Sequence, residues 1–391
     1  MRMSMVAAGF TAAQADALRR AMGGWRKRGT MAPILDKLRD GLIEHGVAAD
    51  YVDRVLRQIA GFGEYGFPES HAASFALLAY ASAWLKYHHP AAFACALLNS
   101  QPMGFYAPHS LVDDARRHGV PVRPVDVGCS EWDCTLEPVA RTRPVPRPPG
   151  EGRADGLWAL RLGLRMVSGL READGRAVEK ARLSGGPYRS VGDVARRAHI
   201  PRDTLARLAA ADALSSLGLT RRQAIWRVQG LYDGSTPLFA GQDSGGPPVR
   251  FQAMSTVEQV RADYASTGLS VDLHPTVLVR RELDRQRVLR ARDLASTPAK
   301  RRVRVGGLVI SRQHPDTKTG MIFLALEDET GLVNVSVPRR VYERHRTTIH
   351  RAVFLWVDGT LERDGRALNV MARRLGDLAA EAVAVKSRDF R

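Results

Sequence analysis

Through the first 120 residues the apolar positions recur every three or four residues, the period of helices that each bury one face. Thr11 and Gln14 form a capping box ahead of a helix predicted over 12–22, and Gly23 and Gly24 stop it. Pro33 opens a second helix that ends at Gly46; Val52, Val55, Leu56 and Ile59 mark the buried face of a third, which Gly61 is expected to end. Ser70 is read as the cap of a nearly all-apolar helix reaching His89. Having no polar stripe, that helix is expected in a core. Pro90 fits the first turn of the next helix, over 91–99, and another covers 109–118.

Near Val120 the period drops to two. Trp132, Cys134 and Leu136 alternate with Glu131, Asp133, Thr135 and Glu137, and 157–164 reads as a partner strand, so a small β element is expected. Between them, 141–150 (RTRPVPRPPG) is a basic, proline-rich run with little capacity for a core and is expected as an exposed insertion. Short helices return over 166–231, with turns at Ser168-Gly169-Leu170, Gly185-Gly186-Pro187 and Ile200-Pro201; 237–248 is a linker, and a helical patch follows over 257–264. Five strand-like runs close the chain, at 302–313, 321–327, 332–337, 352–361 and 367–373, with a helix-permissive segment over 339–347 between the third and fourth. That is the element order of a five-stranded OB barrel, and Asp364-Gly365 joins the last two strands as a tight hairpin. The fold class expected is multidomain α+β, helical first and barrel last.

Composition narrows the partners. A hydrophobic fraction of 45% with 25% charged residues belongs to an ordinary folded protein, and 391 residues suggest several domains. The 58 Lys and Arg against 41 Asp and Glu leave a net charge of +17, which favours a polyanion. The longest apolar stretch, 72–85, is too short to span a bilayer, and the start has no secretory pattern, so nucleic acid is preferred to a membrane and a cytoplasmic location is expected. Cys95, Cys129 and Cys134 have no pairing or ligand spacing that would suggest a disulfide scaffold or zinc site.

Four groups of residues could carry chemistry. On the second barrel strand Ile322, Leu324 and Leu326 share one face, which puts Met321 and Phe323 on the other, where an aromatic can stack a base beside Arg312 and Lys318. An exposed Phe323 could equally cover a protein contact; Trp356 is read as core. The turns at Gly169 and Ile200-Pro201 resemble helix-hairpin-helix units, whose backbone N–H groups meet phosphate, with Lys180 and Arg182 adding charge; an ordinary helix connection fits the same residues. Arg19, Arg20, Arg26, Lys27 and Arg28 gather near one helix end as candidate phosphate ligands. The fourth is 61–75, where three glycines and Pro68 lead into a helix start that Ser70 and His71 face. The acidic run Glu327-Asp328-Glu329, at a barrel turn, reads as solvated charge.

The string Gly63-Glu64-Tyr65-Gly66-Phe67-Pro68-Glu69-Ser70-His71-Ala72-Ala73-Ser74-Phe75, with Ala83-Trp84-Leu85-Lys86 and His89-Pro90-Ala91-Ala92-Phe93, closely resembles the fingers region of bacterial C-family DNA polymerases. Further similarity follows at Gln101-Pro102-Met103-Gly104-Phe105-Tyr106, Arg123-Pro124-Val125-Asp126-Val127, Leu269-Ser270-Val271-Asp272-Leu273-His274-Pro275 and Leu326-Glu327-Asp328-Glu329-Thr330-Gly331. Pro68-Glu69-Ser70-His71 is similar to the error-prone, damage-inducible branch. Glu69 stands where replicative relatives tend to carry Lys, which shifts the nucleotide or DNA contacts implied here onto His71, Arg26, Lys27 and Arg28.

The resemblance implies a fingers-like region over 1–120, the small β element over 121–165, a helix-hairpin-helix region over 166–236, linker and short helices over 237–299, an OB domain over 300–377 and a tail over 378–391. It implies primer-template and single-stranded DNA as partners, with incoming dNTP and magnesium in the intact polymerase, and accessory mutagenesis proteins linking it to the sliding clamp. The palm carboxylates that would hold catalytic metal are expected upstream, so no catalytic or metal-ligating residue is assigned and the chain alone is expected to be inactive. An autonomous single-strand-binding module, or a protein-docking barrel, remains open beside this reading.

Overall fold

The computed structural model describes residues 2–23, 32–65, 69–103, 106–139, 158–231, 249–314, 320–365, 367–378 and 388–390. The chain divides into two compact units, Met1–Trp84 and Leu85–Arg391.

The first unit is helical: α1 (Arg2–Ala7), α2 (Ala12–Gly23), α3 (Ala32–Glu44) and α4 (Ala49–Tyr65). The capping box forms, with Thr11 Oγ1 accepting the Gln14 N–H at 3.3 Å and Gln14 Oε1 accepting the Thr11 N–H at 2.8 Å. Leu18, Leu38, Leu42, Val52, Val55, Leu56 and Ile59 meet in one core, the buried face anticipated for the third helix included. Just after α1 the chain meets α3 at Gly41, where an added Cβ would lie 2.3 Å from the Ala8 carbonyl oxygen, so only glycine permits the approach. α4 runs through Gly61 to Tyr65. A glycine inside a helix costs about 1 kcal/mol, less than burial of the Val52, Leu56 and Ile59 face returns.

α5 (Glu69–His88) contradicts the core-helix expectation. Phe75, Leu77, Leu78, Tyr80, Trp84, Leu85 and Tyr87 are all exposed, because no described element covers them. Ser70 lies inside this helix rather than ahead of it.

In the second unit α6 (Pro90–Asn99) and α7 (Pro108–Arg117) each begin on the proline that fixes the first helical φ. A three-stranded sheet follows, with β3 (Trp158–Arg161) between β1 (Val122–Arg123) and β2 (Thr135–Pro138); β2 pairs antiparallel to β3, Leu136 facing Leu160. Residues 140–157, including the proline-rich insertion, fall outside the described residues. α8 (Glu172–Gly185), α9 (Val191–Ala198), α10 (Arg202–Ala210) and α11 (Arg221–Gln229) share a core with α6, α7 and this sheet, centred on Leu98, Leu160, Leu164, Val178, Leu205 and Leu208. Each buried leucine contributes roughly 1.5–3 kcal/mol. α12 (Thr256–Thr267), opened by a Ser255–Glu258 capping box, and α13 (Thr276–Arg285) lead to the barrel.

The barrel is the OB topology: β4 (Arg302–Gln313), β5 (Ile322–Asp328), β6 (Gly331–Val337), α14 (Arg339–Arg351), β7 (Phe354–Asp364) and β8 (Ala367–Asp377). The order β5-β6-β8-β7-β4 closes on itself through β4–β5 pairing. Val305, Val309, Leu324, Val335, Val357 and Val370 fill the interior, and Ile349 of α14 joins them. Asp364 pairs with Ala367 across the expected two-residue hairpin, with Gly365 at φ +55°. Within the expected tail, β9 (Arg388–Phe390) lies parallel to β4. Trp356 is half-buried, in a satellite cluster with Leu308 and Phe354 outside the main barrel core.

Candidate nucleic-acid interface

On β5 the alternation holds. Ile322, Leu324 and Leu326 point inward and Phe323 outward, where it is 41% exposed. Phe323 faces Ser336 on β6, Ser336 faces Met371 on β8, and Met371 faces Thr360 on β7, so an uncharged row crosses four strands of the outer wall. Leu332, 47% exposed, has the outward parity of Asn334 and Ser336.

The cation expected beside Phe323 is elsewhere. Arg312 is buried, and its guanidinium donates to the carbonyls of Ile349 and Ala352 at the end of α14. A bulge between Val309 and Ser311 shifts the phase of β4, so that Arg312 pairs with inward-facing Leu324. Without that extra residue Arg312 would have pointed out. Lys318 lies outside the described residues.

In the helical hairpins Gly169, at φ +73°, turns the chain into α8; a Cβ there would meet the Arg207 guanidinium at 2.2 Å. The neighbouring Ser168 N–H donates to the Ser266 carbonyl at 2.7 Å and is therefore occupied by protein. Ser168, Arg207, Arg222, Ile225 and Ser266 help line a cleft of about 500 Å³. Arg207 is the cation at this turn that the sequence reading missed; its only sequence signal is the spacing to Asp203, with which it pairs at 3.0 Å on the surface. Lys180 is exposed on α8, near Arg176 and Leu183. Arg182 is not available as predicted: one of its nitrogens donates to the carbonyls of Val127 and Ser130, each at 2.7 Å, pinning α8 to the loop before β2. At the second turn His199 adopts a left-handed conformation, and Arg202 caps the carbonyls of Val228 and Gln229.

In the first unit Arg19 and Arg20 are exposed and share Asp16, at 2.9 and 3.2 Å. Arg26, Lys27 and Arg28 lie outside the described residues, as does the Ser70 side chain. His71 is exposed in the first turn of α5 and packs at a tilt of 45° against Phe75, ring centres 4.4 Å apart.

The acidic turn after β5 is not solvated. Glu327 and Asp328 are fully buried and Glu329 is partly so, because α7, α13 and the segment after α13 pack over this end of the barrel. Glu327 accepts from Arg117 at 3.0 Å and Ser110 at 3.3 Å; Asp328 accepts the Ala291 N–H at 2.8 Å; Glu329 accepts from Arg280 at 2.6 Å and Thr276 at 2.8 Å. Burial and then neighbouring Asp113 push the Glu327 carboxyl up to about 7, and burial pushes Asp113 up to about 6. Burial would raise Glu329 as well, but the Arg280 and Thr276 hydrogen bonds hold it near 2. Burial lowers His274 to about 3, keeping it neutral. Asp113, His274 and Glu327 lie on α7, the loop before α13 and β5, so no local spacing announces their meeting.

A helix-hairpin-helix motif family matches residues 119–224. The error-prone DNA polymerase of Anaeromyxobacter sp. (strain K) is 49% identical over 391 residues, covering 100% of this chain and 34% of that protein. Its counterpart in Azoarcus sp. (strain BH72) is 50% identical over 398 residues, covering 100% and 36%, and that of Methylococcus capsulatus is 46% identical over 400 residues, covering 100% and 38%. The chain thus spans between a third and two fifths of the length of these curated relatives. Among solved structures, asparaginyl-tRNA synthetase from Pyrococcus horikoshii is similar over 24% of each chain at 21% identity and a TM-score of 0.20, too limited a likeness to bear on function.

Proposed function

We propose that this chain, which belongs over its whole length to the family of the error-prone DNA polymerases, grips DNA for a polymerase whose bond-forming carboxylates lie outside this sequence. The observation that carries the proposal is the coexistence, in one unit, of the matched helix-hairpin-helix region and a closed OB barrel with an open aromatic wall at Phe323. The net charge of +17 supports a polyanionic ligand. In this reading the Gly169 turn, Arg207 and Lys180 hold the phosphates of primer-template duplex, Phe323 stacks an unpaired base, and Arg19, Arg20, Arg26, Lys27, Arg28, Ser70 and His71 act near the nucleotide and template. The uncovered apolar surface of α5 packs against the rest of the polymerase. Repair and translesion synthesis, incoming dNTP, magnesium and clamp-linking accessory proteins belong to that whole enzyme.

Primer extension separates gripping from chemistry. With magnesium, dNTPs and a labelled primer-template, the purified chain should retard the DNA in a gel and leave the primer at its original length. Extension by the chain alone would overturn the division of labour, and absence of any retardation would overturn the gripping role.

A second reading is favoured by one observation. With Arg312 turned inward, the row from Phe323 through Ser336 and Met371 to Thr360 carries no charge and Phe323 and Leu332 stand exposed along it, as suits a protein partner. Under that reading Phe323→Ala abolishes partner capture and leaves DNA affinity unchanged.

A further inference from the structure

We propose that Asp113, His274 and Glu327 form a binding site for one divalent transition-metal ion, which staples α7 and the loop before α13 to the barrel. One ligand atom from each residue lies within 4.8 Å of the other two, and all three side chains are at least nine-tenths buried. The second observation is His274 itself: its Nε2 is buried and has no hydrogen-bond partner.

The hydrogen bonds around His274 decide what that nitrogen offers. Nδ1 lies 2.7 Å from Thr276 Oγ1. The Thr276 hydroxyl proton is committed to Glu329 Oε2 at 2.8 Å, and Glu329 is an ionised acceptor held by Arg280 at 2.6 Å and Arg290 at 3.3 Å. Thr276 Oγ1 also accepts the Glu329 N–H at 3.1 Å. The proton between Thr276 and His274 must therefore come from the ring, which makes Nδ1 the N–H and leaves a lone pair on Nε2. The Thr276 N–H approaches Nδ1 at 3.2 Å and would favour the opposite tautomer, but the hydroxyl contact is shorter and its proton is already placed.

A lone pair beside two buried carboxyls is unfavourable unless a proton or a cation lies among them. Orientation of an imidazole through the other ring nitrogen is the usual outer-sphere device of metal sites, and here it runs from Glu329 through Thr276. Arg116 approaches Asp113 at 3.5 Å, while Arg117 and Ser110 take one bond each to Glu327; a carboxylate has about four lone-pair positions, so acceptor capacity remains. One imidazole with two carboxylates suits zinc or manganese, whereas calcium and magnesium prefer all-oxygen shells.

The site is independent of the DNA reading, and its test needs no polymerase activity. The full chain is treated with chelator, dialysed, and titrated with zinc or manganese chloride while metal per chain and thermal unfolding are measured. The expected result is one zinc ion per chain and a raised Tm. His274→Asn and Asp113→Asn should each abolish both. Thr276→Val, which leaves every ligand in place, should weaken binding roughly 10- to 100-fold. Circular dichroism checks that the variants fold; the wild-type stoichiometry decides the matter if one does not. No bound metal in the wild type, leaving a shared carboxyl proton to satisfy His274, would overturn the proposal. So would zinc retained equally by the folded His274 and Asp113 variants.

Discussion

Two residues of the barrel separate what stabilises from what binds. Phe323 is 41% exposed, so Phe323→Ala should lower the unfolding free energy measured in urea by no more than about 1 kcal/mol. Loss of one stacking platform should weaken oligothymidine binding by about 1–3 kcal/mol, read by fluorescence anisotropy. Arg312 should behave in the opposite way. Arg312→Ala removes a buried guanidinium from the end of α14, and loss of its charged hydrogen bonds should cost roughly 2–3 kcal/mol in chemical denaturation, with no change in the salt dependence of DNA binding. Phe323 was legible because strand alternation is a property of the sequence. Arg312 was not, because the bulge that reverses its side depends on how β4 pairs with β5.

Among the elements, the five barrel strands, the helix between the third and fourth, and the prolines opening α6 and α7 could all be read from period and punctuation. The failures were of tertiary origin. The acidic end of β5 looked solvated because nothing local says that α7 and α13 will cover it. Glu329→Gln tests that coupling: it loosens Arg280 and the Thr276 contact and should lower stability by about 2 kcal/mol in urea unfolding, with the transition of the second unit affected first. α5 failed in the other direction, since an all-apolar sequence says that a helix wants cover without saying where the cover comes from. Replacing exposed Leu77 and Tyr80 by Glu should therefore change stability by less than about 0.5 kcal/mol, measured by denaturation, while improving the solubility of the isolated chain.

For the molecule as a whole, α+β class, barrel order and family resemblance were available from the sequence, whereas the Asp113–His274–Glu327 meeting point, built from three distant segments, was not. The central claim is that a cationic chain grips DNA through phosphates and stacks an unpaired base on the barrel. It is tested most directly by oligothymidine affinity across a salt series, for wild type and Phe323→Ala together. With about three to five phosphates neutralised, a plot of log affinity against log salt should fall with a slope of roughly −2 to −4 for both proteins, the variant displaced to weaker binding at every salt concentration. A flat salt dependence, or coincident lines for the two proteins, would contradict the account.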